Sequence, residues 1–145
     1  MNKVQGYDIE DLQPGMAASF SKTVTEADIL MYAGVSCDIN AVHLNEEYAK
    51  TTKFGGRIAH GMLTAGFISA VLANKLPGPG TIYLGQTLKF KAPVRIGDTV
   101  TATVTVRELF VEKKRVVLDA VCTVAGKVVL EGESTMLCTS NKDPQ

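Results

Sequence analysis

The segment from His60 to Leu76, HGMLTAGFISAVLANKL, constrains the fold more than any other part of the chain. It carries one charged side chain, Lys75, and it is followed directly by PGPG. Apolar residues fall on almost every side of a helical wheel: Met62, Leu63, Ala65, Phe67, Ile68, Val71, Leu72 and Leu76. A helix of this kind has to be buried, yet it is shorter than the roughly 20 apolar residues that a membrane span needs. We therefore expect a central helix over about residues 60–76, covered by the rest of a soluble domain.

The sequence after this helix changes to the two-residue period of β-strands. Four strands are predicted, at residues 86–92, 99–107, 115–125 and 127–138, and the turns between them are short enough to require antiparallel pairing. A further strand, at an edge of the sheet, is predicted at residues 16–24. Together these elements predict an α+β hot-dog fold, in which an antiparallel sheet curls around the central helix. Such a sheet leaves an edge and some helix surface uncovered, which favours a homodimer or a higher homo-oligomer.

Two shorter helices are predicted before the central one. Thr25 has the character of an N-cap with acidic residues in the following turn, and this helix is expected to end near Gly34 with its apolar side chains inward (Ile29, Leu30, Tyr32 and Ala33). Asn45 is expected to cap a second helix that reaches about residue 52. The residues between them, 35–43, show no period and are predicted to form a loop.

Composition narrows the classes of partner. The 145 residues suit one domain, 1–145, with a loose tail at 140–145. Fifteen basic and fifteen acidic residues balance, which argues against a nucleic-acid surface. Cys37, Cys122 and Cys138 have neither metal-site nor disulfide spacing, and the first residues lack the apolar run of a signal peptide. We expect a cytoplasmic protein with no metal, no cofactor, no nucleic-acid partner and no membrane partner.

The candidate chemistry lies in the loop segment SCDINAVH, which holds Asp38 and His43. Five residues apart on one helix, these side chains would point about 140° apart, whereas a loop allows them to converge. An imidazole exchanges protons near neutral pH, so the pair could serve acid–base chemistry. Taken alone, the residues favour a different interpretation, in which Asp38 forms an Asx-turn near Asn40 and His43 is an ordinary surface residue.

Several motifs together resemble the signature of the MaoC-like, (R)-specific enoyl-CoA hydratases. They are YAGVSCDINAVH at residues 32–43 with Ala49 beyond it, IAHGM at 58–62, IYLGQ at 82–86 and FKAPV at 90–94. Three residues depart from that pattern. Cys37 stands where the family usually has a small residue, Ala41 stands where it has proline, and Arg57 stands where proline is frequent.

The resemblance implies an acyl-CoA substrate, an enoyl or 3-hydroxyacyl thioester, and roles for four residues. Asp38 and His43 would be the catalytic acid and base that hold a water. Gly61 would donate its amide to the thioester oxygen, and Ser69 would assist substrate binding. Tight packing for Gly61, and a bond from Ser69 to the preceding turn, remain open as alternatives.

The other candidate residues receive weaker expectations. His60 is expected to be structural. The cations that could meet CoA phosphates are Lys53, Arg57, Lys89, Lys91 and Arg95, and no spacing distinguishes one of them from the rest.

Three functions fit the sequence. The resemblance favours reversible hydration of a trans-2-enoyl thioester to the (R)-3-hydroxyacyl thioester. A hot-dog thioesterase would also use a carboxylate and a helix N-terminus, but would release a free thiol. A non-catalytic acyl-thioester-binding module would keep the helix and a pocket but would need neither Asp38 nor His43.

Overall fold

One antiparallel sheet covers the central helix in the computed structural model, which describes residues 4–144. The strands run in the order β1-β4-β5-β6-β2, and β3 pairs separately with β6. Their bounds are β1 Ala17–Thr23, β2 Ile82–Gln86, β3 Lys89–Phe90, β4 Thr99–Phe110, β5 Arg115–Val124 and β6 Lys127–Leu137. The α+β hot-dog fold expected from the sequence is confirmed, and β1 is an edge strand.

The alternation in β4 builds the contact between the sheet and the helix. Val100, Ala102, Val104 and Val106 are all buried, and they belong to the same core as the apolar residues of the central helix. The threonines between them are less buried, in keeping with the two-residue period of a strand.

The strand predicted at residues 86–92 is wrong in its continuity. Two short strands, β2 and β3, replace it, and both pair with β6. Between them, the Thr87 amide still donates to the carbonyl oxygen of Glu133, and Thr87 lies close against Gly132. A Cβ atom placed on Gly132 would lie 1.8 Å from the carbonyl oxygen of Thr87. Only glycine at this position of β6 permits that close approach.

The central helix, α4 (Gly61–Asn74), begins just after His60. One side of it packs into the core through six buried residues: Leu63, Thr64, Phe67, Ile68, Val71 and Leu72. The expectation of burial on every side is wrong for the opposite side, where Met62 is 52% exposed and Gly66 is also exposed. That uncovered side lies next to the edge strand β2, as shown by the cavity that the two share.

The preceding helices are α1 (Glu26–Ser36), α2 (Ala41–Leu44) and α3 (Glu46–Ala49). The Thr25 cap is confirmed, since its side chain accepts the amide of Asp28. The expected end at Gly34 is wrong: α1 continues until Cys37 adopts a left-handed conformation with φ 64°. The inward orientation predicted for Leu30 is also wrong, because its side chain is 53% exposed.

The Asn45 cap of α3 is confirmed, although the helix itself is only one turn long. The loop predicted at residues 35–43 is broken by the turn α2, which carries His43.

Two remaining features concern the chain termini and membranes. The tail expected to be loose at 140–145 is instead bonded to the body, where Ser140 contacts Glu10 and Asp143 pairs with Lys114. Gln145 lies outside the described residues. No helix within residues 4–144 has the length and apolarity to cross a membrane.

Candidate active site

Asp38 is held by the turn that ends α1. Its amide donates to the Ser36 hydroxyl, and its Oδ1 accepts the amide of Asn40 at 3.3 Å. The Asx-turn considered from the sequence is therefore present, but it occupies only one carboxylate oxygen. The other, Oδ2, lies 4.0 Å from Nε2 of His43, and the Asp38 side chain is 50% exposed.

His43 lies on α2, which starts where the Asn40 side chain accepts the amide of Val42. Its side chain is only 12% exposed. Nδ1 lies 2.9 Å from the carbonyl oxygen of Ile58. Because a carbonyl can only accept, Nδ1 carries the proton of the neutral ring and Nε2 carries the lone pair that faces Asp38. The helical turn does not separate the pair, since Asp38 precedes it on the chain.

His60 supports both members of this pair, which the sequence did not indicate. Its ring stacks on His43 with centroids 3.9 Å apart, and its Nε2–H donates to the main-chain oxygen of Asp38 at 2.9 Å. The Tyr32 ring also packs against His60, with the ring centroids 4.6 Å apart. His60 is 1% exposed, and its Nδ1 has no partner among residues 4–144. The contact with Asp38 spans 22 positions, so no local signal could have revealed it.

Gly61 begins α4 beside these side chains. Amides in the first turn of a helix have no acceptor within the helix and carry the positive end of its dipole. Gly61, Asp38, His43 and His60 all line one cavity of about 500 Å³. A Cβ atom on Gly61 would lie 2.6 Å from Cε1 of Phe90, so the packing alternative for this glycine also has a structural basis.

Ser69 lies in a neighbouring cavity on the uncovered side of α4. Met62 lines both cavities, but Ser69 does not reach the one that holds Asp38 and His43. Within the described part of the chain its hydroxyl makes no hydrogen bond, including the bond to the preceding turn that the sequence left open. Burial raises the pKa of Tyr83 in the same cavity, so that phenol stays protonated at neutral pH.

Two of the five candidate cations line the catalytic-side cavity, Lys53 and Lys91. Lys91 is paired with Glu131 at 3.3 Å, whereas the Lys53 ammonium lies 5.3 Å from the ring centre of Phe54. Apart from these lysines, Asp38 and the two histidines, the cavity is mainly apolar, as is usual for a site that binds a small molecule.

Asp38, His43 and His60 also form the one group of potential metal ligands found in residues 4–144, with ligand atoms within 4.8 Å of one another. Their geometry does not favour a metal. The two rings are stacked with a 29° angle between their planes, so their in-plane lone pairs do not converge on one point. His60 Nε2 is also committed to a carbonyl.

Comparison with known sequences gives a consistent family. Residues 11–131 match the model of the MaoC like domain. An (R)-specific enoyl-CoA hydratase from Rhodospirillum rubrum is 64% identical over 128 residues, covering 88% of this chain and 89% of the relative. A 3-hydroxybutyryl-CoA dehydratase from Methylorubrum extorquens is 49% identical over 125 residues, covering 86% of this chain and 80% of the relative.

Solved structures agree with the sequences. The unliganded R-hydratase from Pseudomonas aeruginosa superposes with a TM-score of 0.89 at 43% identity, covering 95% of this chain and 89% of that one. The (R)-hydratase from Aeromonas caviae, described as involved in PHA biosynthesis, gives a TM-score of 0.86 at 39% identity, covering 89% of this chain and 98% of that one. On the extent of these matches, the chain belongs to the MaoC-like dehydratase family.

Proposed function

We propose that this chain is an (R)-specific enoyl-CoA hydratase, a hydro-lyase that reversibly adds water to a trans-2-enoyl thioester. The observation that carries the proposal is the pair of Asp38 Oδ2 and His43 Nε2, 4.0 Å apart and both lining a cavity at the first turn of α4. The names of the relatives support it. We also propose that residues 1–145 act as one domain in the cytoplasm, where free thiols such as these three cysteines persist.

The geometry suits the activation of one water. For a water oxygen about 2.8 Å from both atoms, the angle at that oxygen between Asp38 Oδ2 and His43 Nε2 would be about 90°, which hydrogen-bond geometry allows. His43 Nε2, which carries the lone pair, takes a proton as the water oxygen bonds to C3 of the substrate. C2 receives a proton from the same acid–base pair, so the C2–C3 double bond becomes single and no net proton is released.

The thioester oxygen gains negative charge during this step. We propose that it accepts a hydrogen bond from the Gly61 amide, where the helix dipole also favours negative charge. His60 would hold Asp38 and His43 in place through its hydrogen bond and its stacked ring, and we propose no proton transfer for it. Ser69 would contact the substrate further along α4, in the cavity that begins at Met62.

The test is the loss of enoyl-thioester absorbance when the protein is added to crotonyl-CoA, with the chirality of the product determined. Asp38→Asn and His43→Gln should each lower kcat by about 10²–10⁴-fold, the usual contribution of acid–base catalysis. Asp119→Asn is the matched control, because this carboxylate lies on β5 and is 57% exposed. Full activity in either site variant would contradict the proposal. Release of free thiol would indicate a thioesterase, and binding without turnover would indicate a binding module.

We further propose that two copies associate through the edge strand β2. Ile82, Tyr83 and Leu84 are 57%, 38% and 45% exposed, beside the exposed side of α4. An edge strand with apolar side chains and unpaired backbone groups is a natural site for pairing with another copy. Light scattering during gel filtration should report a dimer, and Leu84→Lys should shift it toward monomer. A monomeric wild-type protein at micromolar concentration would contradict this part of the proposal.

A further inference from the structure

The Arg57 side chain joins two elements that carry the proposed catalytic pair. Its Nε donates to the main-chain oxygen of His43 at 2.7 Å. Its Nη1 and Nη2 donate to the two carboxylate oxygens of Glu26, at 2.8 Å and 3.0 Å. Glu26 is the first residue of α1, and Asp38 follows the end of that same helix. The guanidinium therefore connects the helix that leads into Asp38 to the turn that carries His43.

The backbone beside Arg57 reinforces the same connection. The Arg57 amide donates to Oε2 of Glu46 at 3.1 Å. The Ile58 amide donates to the carbonyl oxygen of Val42 at 3.3 Å, and the Ile58 carbonyl oxygen accepts the proton on His43 Nδ1. Residues 57–58 thus contact both the main chain and the ring of His43.

This arrangement differs from an ordinary surface ion pair, which contributes little. The Arg57 side chain is only 14% exposed, and its pairing with Glu26 is bidentate. Arginine alone among the cations offers a planar fork together with a further N–H for a third acceptor. Its Nε–H also donates to the carbonyl oxygen of His43 in the last turn of α2, where carbonyls have no amide donor within the helix.

From these contacts we infer that Arg57 is a positioning residue, which holds His43 at the orientation relative to Asp38 that the reaction needs. The inference rests on the proposed function of this pair. Arg57 is not among the residues that line the cavity, so it acts through His43 and not through the substrate. The family pattern often has proline at the position of Arg57, and a proline would have neither the amide hydrogen nor the guanidinium.

The kinetic test uses Arg57→Met, which keeps the aliphatic length and removes every guanidinium bond. A misplacement of about 1 Å costs up to about 10²-fold in rate, so kcat should fall by about 10–100-fold while KM for crotonyl-CoA stays nearly constant. Arg107→Met is the matched control. It removes another arginine with two carboxylate partners, Asp119 and Glu133, on the strand surface away from this cavity, and it should leave kcat unchanged.

A spectroscopic test is independent of activity. The chain has two histidines, so the imidazole nitrogens can be assigned in long-range ¹H–¹⁵N spectra. In the wild-type protein His43 should show the Nδ1–H tautomer. In Arg57→Met its nitrogen shifts should move toward a mixture of tautomers, because the main chain of His43 is no longer held by the guanidinium and its ring is less firmly placed against the Ile58 carbonyl.

These two readouts separate the inference from the proposed function. A wild-type protein without hydratase activity would contradict the function, while the His43 spectra would still decide the positioning role. If Arg57→Met does not fold, Glu26→Gln removes the same ion pair from the side of the carboxylate, whose side chain is 49% exposed. This variant should give smaller changes in kcat and in the His43 shifts, in the same direction. The inference fails if kcat and the His43 shifts both stay at wild-type values. It also fails if KM rises and kcat is kept, since Arg57 would then be contacting a phosphate of the substrate.

Discussion

Replacement of Gly61 by alanine tests whether this glycine serves the substrate or only the packing. The new methyl carbon would lie 2.6 Å from Cε1 and 2.8 Å from Cδ1 of the Phe90 ring. Favourable carbon–carbon contacts begin at about 3.5 Å, so the ring has to move by about 1 Å. Phe90 is 54% exposed and has room to swing outward. Overpacking of this kind lowers the free energy of unfolding by about 1–3 kcal/mol, whereas the change from glycine to alanine in a helix raises it by about 0.5–1 kcal/mol.

We therefore expect Gly61→Ala to lower the free energy of unfolding by about 2.5 kcal/mol at most. The loss of activity should be larger than this loss of stability would explain. The amide is kept, but the methyl group obstructs the close approach of the thioester oxygen, and loss of one oxyanion donor costs about 10²–10³-fold in kcat. The double variant Gly61→Ala/Phe90→Ala removes the clash, so it should regain the stability lost to overpacking without regaining activity.

The assays are urea denaturation and crotonyl-CoA hydration, each with Phe90→Ala as the single-variant reference. Gly34→Ala is the stability control. This glycine lies inside α1 with open space around a Cβ atom, and the change should stabilise the protein by about 0.5–1 kcal/mol. Recovery of activity in Gly61→Ala/Phe90→Ala, relative to Phe90→Ala, would refute a role for Gly61 in substrate binding and leave packing as its purpose.

Further predictions concern the thiols and the cap of α1. The native protein should react with a thiol reagent at Cys37 alone, because Cys37 is exposed while burial raises the pKa of Cys122 and Cys138 to about 12; modification of all three without unfolding would contradict the burial. The hydrogen bond from Lys22 holds the pKa of Asp28 below its usual value. Its stabilisation is present above about pH 4, where the unfolded carboxyl is ionised, and is lost as the pH falls through the folded pKa. Asp28→Asn should therefore lower stability in urea at pH 7 and have little effect near pH 2, and an equal loss at both pH values would contradict this assignment.

Local signals in the sequence are sufficient for most of the fold. The caps at Thr25 and Asn45 are formed by side chains within three residues of the amides they accept, and the alternation of β4 needs only its own residues. The errors have both distant and local causes. The strand predicted at 86–92 is divided beside the close approach of Thr87 to Gly132, 45 residues further along the chain. The end of α1 is set by the left-handed backbone of Cys37, a residue with no preference for that conformation.

The candidate site shows a similar contrast between residues close in sequence and contacts from distant parts of the chain. Asp38 and His43 are five positions apart, and the motif in which they stand resembles the family signature from which their proposed roles come. His60 and Arg57 support them through main-chain oxygens, those of Asp38 and His43, which every residue possesses. Such contacts leave no trace in residue type or spacing. The candidate catalytic side chains could therefore be named from the sequence, whereas their contacts with His60 and Arg57 could not.

The register of the sheet has a consequence for the order in which the molecule assembles. Ser21 on β1 bonds to Thr101 on β4, 80 residues further along the chain. Every candidate site residue precedes β4, so α4 and the Asp38 turn are synthesised before β4, β5 and β6. Pairing across such a span is slow to nucleate, and the apolar side of α4 stays open to water meanwhile. Synthesis of the carboxyl-terminal strands is thus the step at which this chain first gains a stable cavity.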